Sequence, residues 1–245
     1  MRIPRFYTSQ PLSVNHGLTL EIAPSHHLLK VLRAQPGDPL ILFNGNGNEY
    51  HATLNGSEGK RAQLTVTGTT TPTRESGLQI SLGQGVSRGE RMDVVIQKAV
   101  ELGANDITPL WTRRSQVRLA GQRLDKRLSH WHGILLGACE QSGRVRLPAL
   151  HPACDLDDWL GAPAAGLRLV LDPEAEQVLH DIQPQQKVQV LLGPEGGLEK
   201  AEVDRALAAG FQPVRLGPRI LRTETATLAT LSALQTLWGD FGRPT

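Results

Sequence analysis

Cysteine is almost missing from this chain: of 245 residues only Cys139 and Cys154 carry a thiol. Two cysteines cannot make a disulfide framework or a cysteine-based four-ligand zinc site, which excludes the disulfide-rich secreted and zinc-stapled classes. Aromatic residues are few as well, with four Trp, two Tyr and four Phe. No apolar run approaches the roughly 18 residues of a membrane span. The start, Met1-Arg2-Ile3-Pro4-Arg5, lacks the apolar stretch of a secretory signal. A soluble cytoplasmic protein is therefore the default expectation. There is no Gly-x-x-x-x-Gly-Lys-Ser/Thr phosphate loop, no Ser-His-Asp arrangement and no nucleophile elbow. His26, His27, His130 and His132 stand at no metal-ligand spacing with acids or cysteines, so no metal is expected.

Glycine (25) and proline (16) are plentiful but aperiodic, and they read as turns. The net charge of +2 conceals a segregation. Residues 113–146 hold eight Lys/Arg against two acids, and residues 147–204 hold three against eleven. Such a basic block either steers a polyanion or is a solvated face balanced by its acidic neighbour.

The length suits one large domain or two ordinary ones. Short strand-like runs at 18–22, 40–43, 49–54 and 62–67 are separated by Pro36-Gly37-Asp38 and by the Asn/Gly run 44–48. One helical stretch, 25–33, interrupts them, with Ser25 as its expected cap. Closely spaced strands with little helix suggest a small barrel. The stretch 68–76 has no apolar periodicity and marks a boundary. Beyond it strands and helices alternate. Strands are expected at 78–82, 107–111, 167–171, 188–192 and 214–216, and helices at 90–102, 123–141, 199–209 and 225–238. That order predicts an α/β domain with a mostly parallel sheet.

Two Gly-Pro turns then stand out, Leu191-Leu192-Gly193-Pro194-Glu195-Gly196-Gly197 and Leu216-Gly217-Pro218-Arg219-Ile220-Leu221. Each follows an apolar strand and precedes a helix, the place where open parallel sheets bind ligands. Bare glycine backbone there suits main-chain reading of a flat heteroaromatic ring. Glu199 and Glu202 begin the next helix and argue against a phosphate on its N-terminus. Gly83-Gln84-Gly85-Val86-Ser87-Arg88-Gly89 misses the dinucleotide fingerprint by one residue. At 222–226, Thr223 or Thr225 is expected to cap a helix, which leaves Arg222 as a cation at the wrong helix end. Glu140-Gln141-Ser142-Gly143-Arg144 closes the long helix, with Gly143 as its stop.

These blocks resemble the RsmE-type branch of the SPOUT methyltransferases. So do Val31-Leu32-Arg33, Gly37-Asp38, Gln97-Lys98, Glu101-Leu102-Gly103, Pro109-Leu110 and Arg113-Arg114-Ser115. One departure is Ser87-Arg88-Gly89, where that branch usually has a Lys-Gly pair. The resemblance implies an N-terminal PUA-like barrel over 1–72 and a SPOUT α/β domain over 73–245, with a trefoil knot at about 188–240. Periodicity would not suggest a knot. It further implies a homodimer that uses S-adenosylmethionine to methylate N3 of one uridine, position 1498 of the decoding region, in 16S ribosomal RNA. The expected cofactor residues are Leu191, Leu192, Gly193, Pro194, Gly196, Gly197, Leu216, Gly217, Ile220, Leu221, Arg222, Thr225 and Ala226. Arg222 and Glu224 are the expected catalytic pair, with Glu224 favoured as the group holding Arg222. Arg33, Arg88, Arg113, Arg114, Arg118, Gln141 and Arg144 are the expected RNA contacts. A non-catalytic RNA-binding protein and a Rossmann-type nucleotide enzyme remain as rival readings.

Overall fold

The computed structural model describes residues 3–115, 118–163 and 165–242. The chain divides into two compact units. One holds the residues up to Glu75 together with Cys139–Leu147, and the other holds Ser76–Ala138 and the residues from Pro148 onward.

In the first unit β1 (Arg5–Tyr7), β2 (Gly17–Thr19), β3 (Pro39–Phe43), β4 (Glu49–Glu58) and β5 (Arg61–Thr70) form a mixed sheet ordered β1-β3-β4-β5-β2. Alternation along β4 and β5 places Ala52 opposite Val66 and Leu54 opposite Leu64, all buried. The turn from β3 to β4 is built by asparagines. The Asn46 N–H donates to Asn44 Oδ1 and the Asn48 N–H to Asn46 Oδ1, at 3.3 and 3.0 Å. Helix α1 (Ile22–His26) continues as a π turn over His27–Val31. Ser25 is not its cap. It lies inside the helix, buried, donating to the Leu20 carbonyl and accepting the Ala62 N–H at 3.1 and 3.0 Å.

The segment 139–147 belongs to this unit because its polar groups are matched there. Glu140 accepts the Tyr7 N–H at 3.0 Å, and burial raises its pKa. Arg144 pairs with Glu75 at 2.9 Å, while Arg5 and Arg74 both hold Glu49. Burial pushes the Glu49 carboxyl up, but the two guanidiniums outweigh it and hold the group below its usual range.

The second unit runs β6 (Gln79–Gly85), α2 (Glu90–Glu101), β7 (Asp106–Trp111), α3 (Gln122–Ser142, its last turn lying in the first unit), β8 (Ala149–Leu150) and β9 (Cys154–Asp155). It continues with α4 (Leu156–Gly161), β10 (Leu167–Leu171), β11 (Lys187–Leu192), α5 (Lys200–Ala208), β12 (Gln212–Val214) and α6 (Thr223–Leu237). The seven strands are all parallel, ordered β12-β10-β11-β6-β7-β8, with β9 also on β7. Short β8, β9 and α4 had too little periodicity to be read from the sequence.

Strand alternation sorts the residues of β6 and β11 onto two faces. Gln84 on one face reaches α6, while Gly83 and Leu191 on the other meet α4 and the core of Leu110, Leu156, Leu160, Val170, Ala206 and Phe211. A Cβ on Gly83 would lie 2.4 Å from the Trp159 ring, so the indole of α4 lies where a side chain would otherwise be. Gly83→Ala should therefore destabilise by about 1–3 kcal/mol. Urea unfolding checks this, with a lower midpoint at unchanged slope.

Candidate functional site

The carboxyl ends of β10, β11 and β12 open into one cavity of about 880 Å³. Three loops line it: residues 171–175, 192–198 and 213–221, with Thr223 and Ala226 from the start of α6. Both Gly-Pro turns therefore face the same space.

The 193–197 turn is held by close packing. A Cβ on Gly193 would meet the backbone of Gly197 and Leu198 at 2.7 Å, so the turn closes only around glycine. A Cβ on Gly85 would lie 2.5 Å from the Pro194 nitrogen, so β6 carries glycine where the loop crosses it. Gly197 and Gly217 adopt φ of +70° and +91°, the left-handed region that other residues enter at a cost. The glycines of the 83–89 stretch thus serve packing of Trp159 and Pro194, which removes the reason to read that stretch as a phosphate loop.

A buried polar knot of side chains joins this turn to α6. Gln84 Nε2 donates to the Gly193 carbonyl at 3.2 Å and to Thr223 Oγ1 at 3.1 Å. Thr223 Oγ1 in turn donates to the Gly193 carbonyl at 2.7 Å, and Thr227 Oγ1 lies 2.7 Å from Gln84 Oε1. The expected threonine cap is overturned: Arg222 is the N-cap residue, with no side-chain cap, and the helix begins at Thr223. The Thr223 hydroxyl is aimed at the neighbouring loop instead of its own helix. Gln84 was missed because an amide inside an apolar strand gives no sequence signal of its partners.

Glu195 accepts the Arg88 N–H at 2.8 Å and Arg91 Nη1 at 2.9 Å. Burial pushes its carboxyl up, but the hydrogen bonds from Arg88, its own backbone and Arg91 win and hold it below 4.5. Glu202, buried in the first turn of α5, accepts the N–H groups of Glu199 and Arg113, each at 2.8 Å. That carboxylate both caps the helix and fixes the 112–115 turn. From there Arg114 Nη1 donates to the Gly196 carbonyl at 2.6 Å and lines the cavity.

Of the expected cofactor residues, Leu192, Gly193, Pro194, Gly196, Gly197, Leu216, Gly217, Ile220, Leu221 and Ala226 line the cavity. Leu191 is fully buried in the core, and Arg222 and Thr225 are exposed without lining it. The Arg222 carbonyl accepts the Ala226 N–H at 2.8 Å, but its guanidinium makes no hydrogen bond or ion pair among the described residues, so the expected Arg222–Glu224 pair is absent. Glu224 is half-buried, and its Oε2 is a buried acceptor with no partner. Arg33 is exposed at φ 55°, and the Arg88 and Arg113 side chains and Gln141 are exposed. Arg118 pairs with Asp155 at 2.7 Å on the surface. Arg144 does not present itself to a phosphate: it is buried against Glu75, so that expectation is corrected.

Residues 74–235 match the family model of the RNA methyltransferase domain, and residues 25–67 match that of the RNA methyltransferase PUA domain. A protein named ribosomal RNA small subunit methyltransferase E from Buchnera aphidicola (of Schizaphis graminum) is 33% identical over 98% of each chain. Its namesake in Bacillus subtilis is 30% identical over 85% of this chain and 86% of that one. Among solved structures, a ribosomal RNA small subunit methyltransferase E from Neisseria gonorrhoeae bound to S-adenosylmethionine is 41% identical, with a TM-score of 0.92 over 98% of this chain and 100% of that one. A Legionella pneumophila protein solved with bound S-adenosylmethionine is 37% identical, with a TM-score of 0.95 over the same shares.

Two outcomes follow from the geometry. Thr223→Val removes the 2.7 Å donor to the Gly193 carbonyl and one acceptor of Gln84 Nε2, which keep each other as partners, and should lower unfolding free energy by about 0.5–1.5 kcal/mol, read by chemical denaturation. For Glu195, a folded pKa below 4.5 means the unfolded chain binds more protons on the acid side. Its stabilisation is complete above about 4.5 and is lost as pH falls through the folded value. Glu195→Gln should flatten the decline of thermal stability in that acid range, and an unchanged slope would assign the acid sensitivity elsewhere.

Proposed function

Since the chain belongs to the RNA methyltransferase family and has relatives named ribosomal RNA small subunit methyltransferase E, we propose that it methylates N3 of a single uridine, position 1498, of 16S ribosomal RNA with S-adenosylmethionine. The observation that carries this reading is the pairing of the two Gly-Pro loops around one cavity, with Arg222 standing free at its edge.

The residues present fit the cofactor. The cavity is within the roughly 300–1,000 Å³ of small-ligand sites, and its rim is largely loop backbone, with N–H and C=O groups for an adenine edge. The lining is balanced in charge, with Asp172, Glu174, Glu195 and Asp204 against Arg114, Lys200, Arg215 and Arg219, so a ligand with both a cationic centre and a carboxylate finds partners there. Leu192 to Gly197 and Leu216 to Leu221 would hold it. When bound, S-adenosylmethionine supplies an electrophilic methyl group on a sulfonium.

The protein's remaining tasks are to position the uracil and to stabilise the charge that appears when N3 loses its proton. That charge spreads over the two flanking carbonyl oxygens. Arg222 is the cation assigned to them. Glu224 belongs to the same edge, and its unpartnered Oε2 is the acceptor toward which a reoriented Arg222 or a substrate N–H turns. N3 lies on the pairing edge of the base, so the target uridine is taken unpaired or out of its stack. The exposed Arg33, Arg88 and Arg113, with Gln141 and the surface-paired Arg114 and Arg118, supply contacts to the RNA. The five-stranded sheet is assigned to a PUA-like barrel, and the segment 188–240 to a trefoil knot that draws the two loops together. A homodimer acting on the small subunit in the cytoplasm completes this reading.

Arg222→Ala should lower kcat by at least about a hundredfold while calorimetry shows S-adenosylmethionine affinity little changed; near-normal turnover removes the role given to Arg222. Mass mapping of ribosomal RNA from cells lacking and then regaining the protein tests target and ring position together, with N3-methyluridine expected only when it is present.

A further inference from the structure

The cavity at the carboxyl strand ends uses only half of the second unit's sheet. On the face that carries Trp159, α4 and α5 cover Leu110, Gly83 and Leu191, which lie toward the carboxyl ends of their strands. The amino-terminal halves of β6, β7 and β11 on that face are polar, and a separate cavity of about 530 Å³ opens over them. Register places Gln189, Ser81 and Asp106 side by side across three strands, with Thr108 beside Gly83 in the next row.

One of these side chains is left unsatisfied inside the fold. Gln189 is 8% exposed, and its Oε1 is a buried acceptor with no hydrogen-bond partner; Thr108, 7% exposed, stands in the adjacent row. Both line the cavity. A buried acceptor without a partner costs about 1–3 kcal/mol in desolvation, so the Gln189 carbonyl on the lining of this pocket points to a ligand that donates to it. Ser81 and His151 are engaged, each 3.0 Å from an Asp106 oxygen, which gives the pocket a fixed polar floor and rim.

We propose that this cavity binds an uncharged nucleobase, presented by a free nucleoside or by an unpaired residue of RNA. An amide next to a hydroxyl offers the donor and acceptor that complement the amide-like edge of such a heterocycle, and Gln reads base edges in this way. The Trp159 indole forms an apolar wall for a flat ring. Asp106 and Asp158 on the lining, against Lys187, disfavour a free phosphate. The site draws on the opposite strand ends from the methyltransfer cavity and does not depend on the activity proposed above.

The test is amide chemical-shift mapping of the full chain with uridine, adenosine and a short single-stranded RNA as probes. Shifts at Ser81, Thr108 and Gln189 are expected. With nucleosides alone they identify a free nucleoside as the source, and with the oligonucleotide alone an RNA base. Gln189→Leu should weaken the binding at least about tenfold and, by removing an unpartnered amide, raise Tm. Thr108→Val should weaken it as well, which covers a failure of the first variant to fold. A chain that methylates RNA yet shows no shifts at these residues overturns the pocket and leaves the proposed activity standing. A Gln189→Leu variant with lowered Tm and undiminished binding overturns it too.

Discussion

The second unit depends on one buried amide. Gln84 sits inside the parallel sheet, fully buried, and every polar atom of its side chain is matched by the 193–197 turn or by the first turn of α6. Strand β6 alone would gain nothing from a polar residue there. The gain is that three segments far apart in sequence, around 84, 193 and 223, are fixed by hydrogen bonds that have direction, which apolar contacts lack. An amide left half-satisfied would cost more than a leucine in its place, so the arrangement tolerates little displacement. This is why the 193–197 turn and the start of α6 can be treated as one rigid edge of the cavity.

Glycine then decides how closely the segments approach. Gly85 and Gly193 are the positions where backbone meets backbone with no room for a Cβ, and Gly83 is the position where an indole takes that room. The same residue type thus does two different jobs within one strand. At Gly85 it lets a site loop lie against the sheet. At Gly83, two residues earlier on the same face, it admits the anchor of α4, whose coverage ends where Ser81 and Thr108 begin.

Much of this was legible in the sequence. The change of rhythm after residue 76, the helices at 90–101 and 122–142 and the parallel strands follow from periodicity, because each buries a regular apolar face. The two Gly-Pro turns were legible as ligand loops because strand, Gly-Pro and helix occur in that order twice. What was not legible depends on distant partners. Nothing near residue 144 says that Arg144 will be consumed by Glu75, so a basic helix tip read as an RNA contact. Ser25 and Thr223 have the residue types of caps, but tertiary acceptors outcompete the helix for their hydroxyls. The segment 139–147 joins the first unit through Glu140, Arg144 and their partners, none of which is a local signal.

The position of Arg222 follows from these constraints. The chain is extended at residue 222 and helical from 223, and the Thr223 hydroxyl is committed to the Gly193 carbonyl. With the first helical residue anchored sideways, the N-terminus of α6 has no side-chain cap, and its positive end faces a guanidinium. A cation there is disfavoured by up to about 1 kcal/mol, and Glu224, two residues on, does not neutralise it. A fold selected for stability alone would place Ser or Asp at residue 222. Keeping arginine there makes physical sense when an anion arrives from outside, because the guanidinium and the free N–H groups of the first turn then act on the same charge. The deprotonated uracil of the proposed reaction is an anion of that kind, and it exists only while the methyl group is being transferred. An interaction that is unfavourable in the resting protein and favourable only with that anion present is what differential stabilisation of a transition state requires.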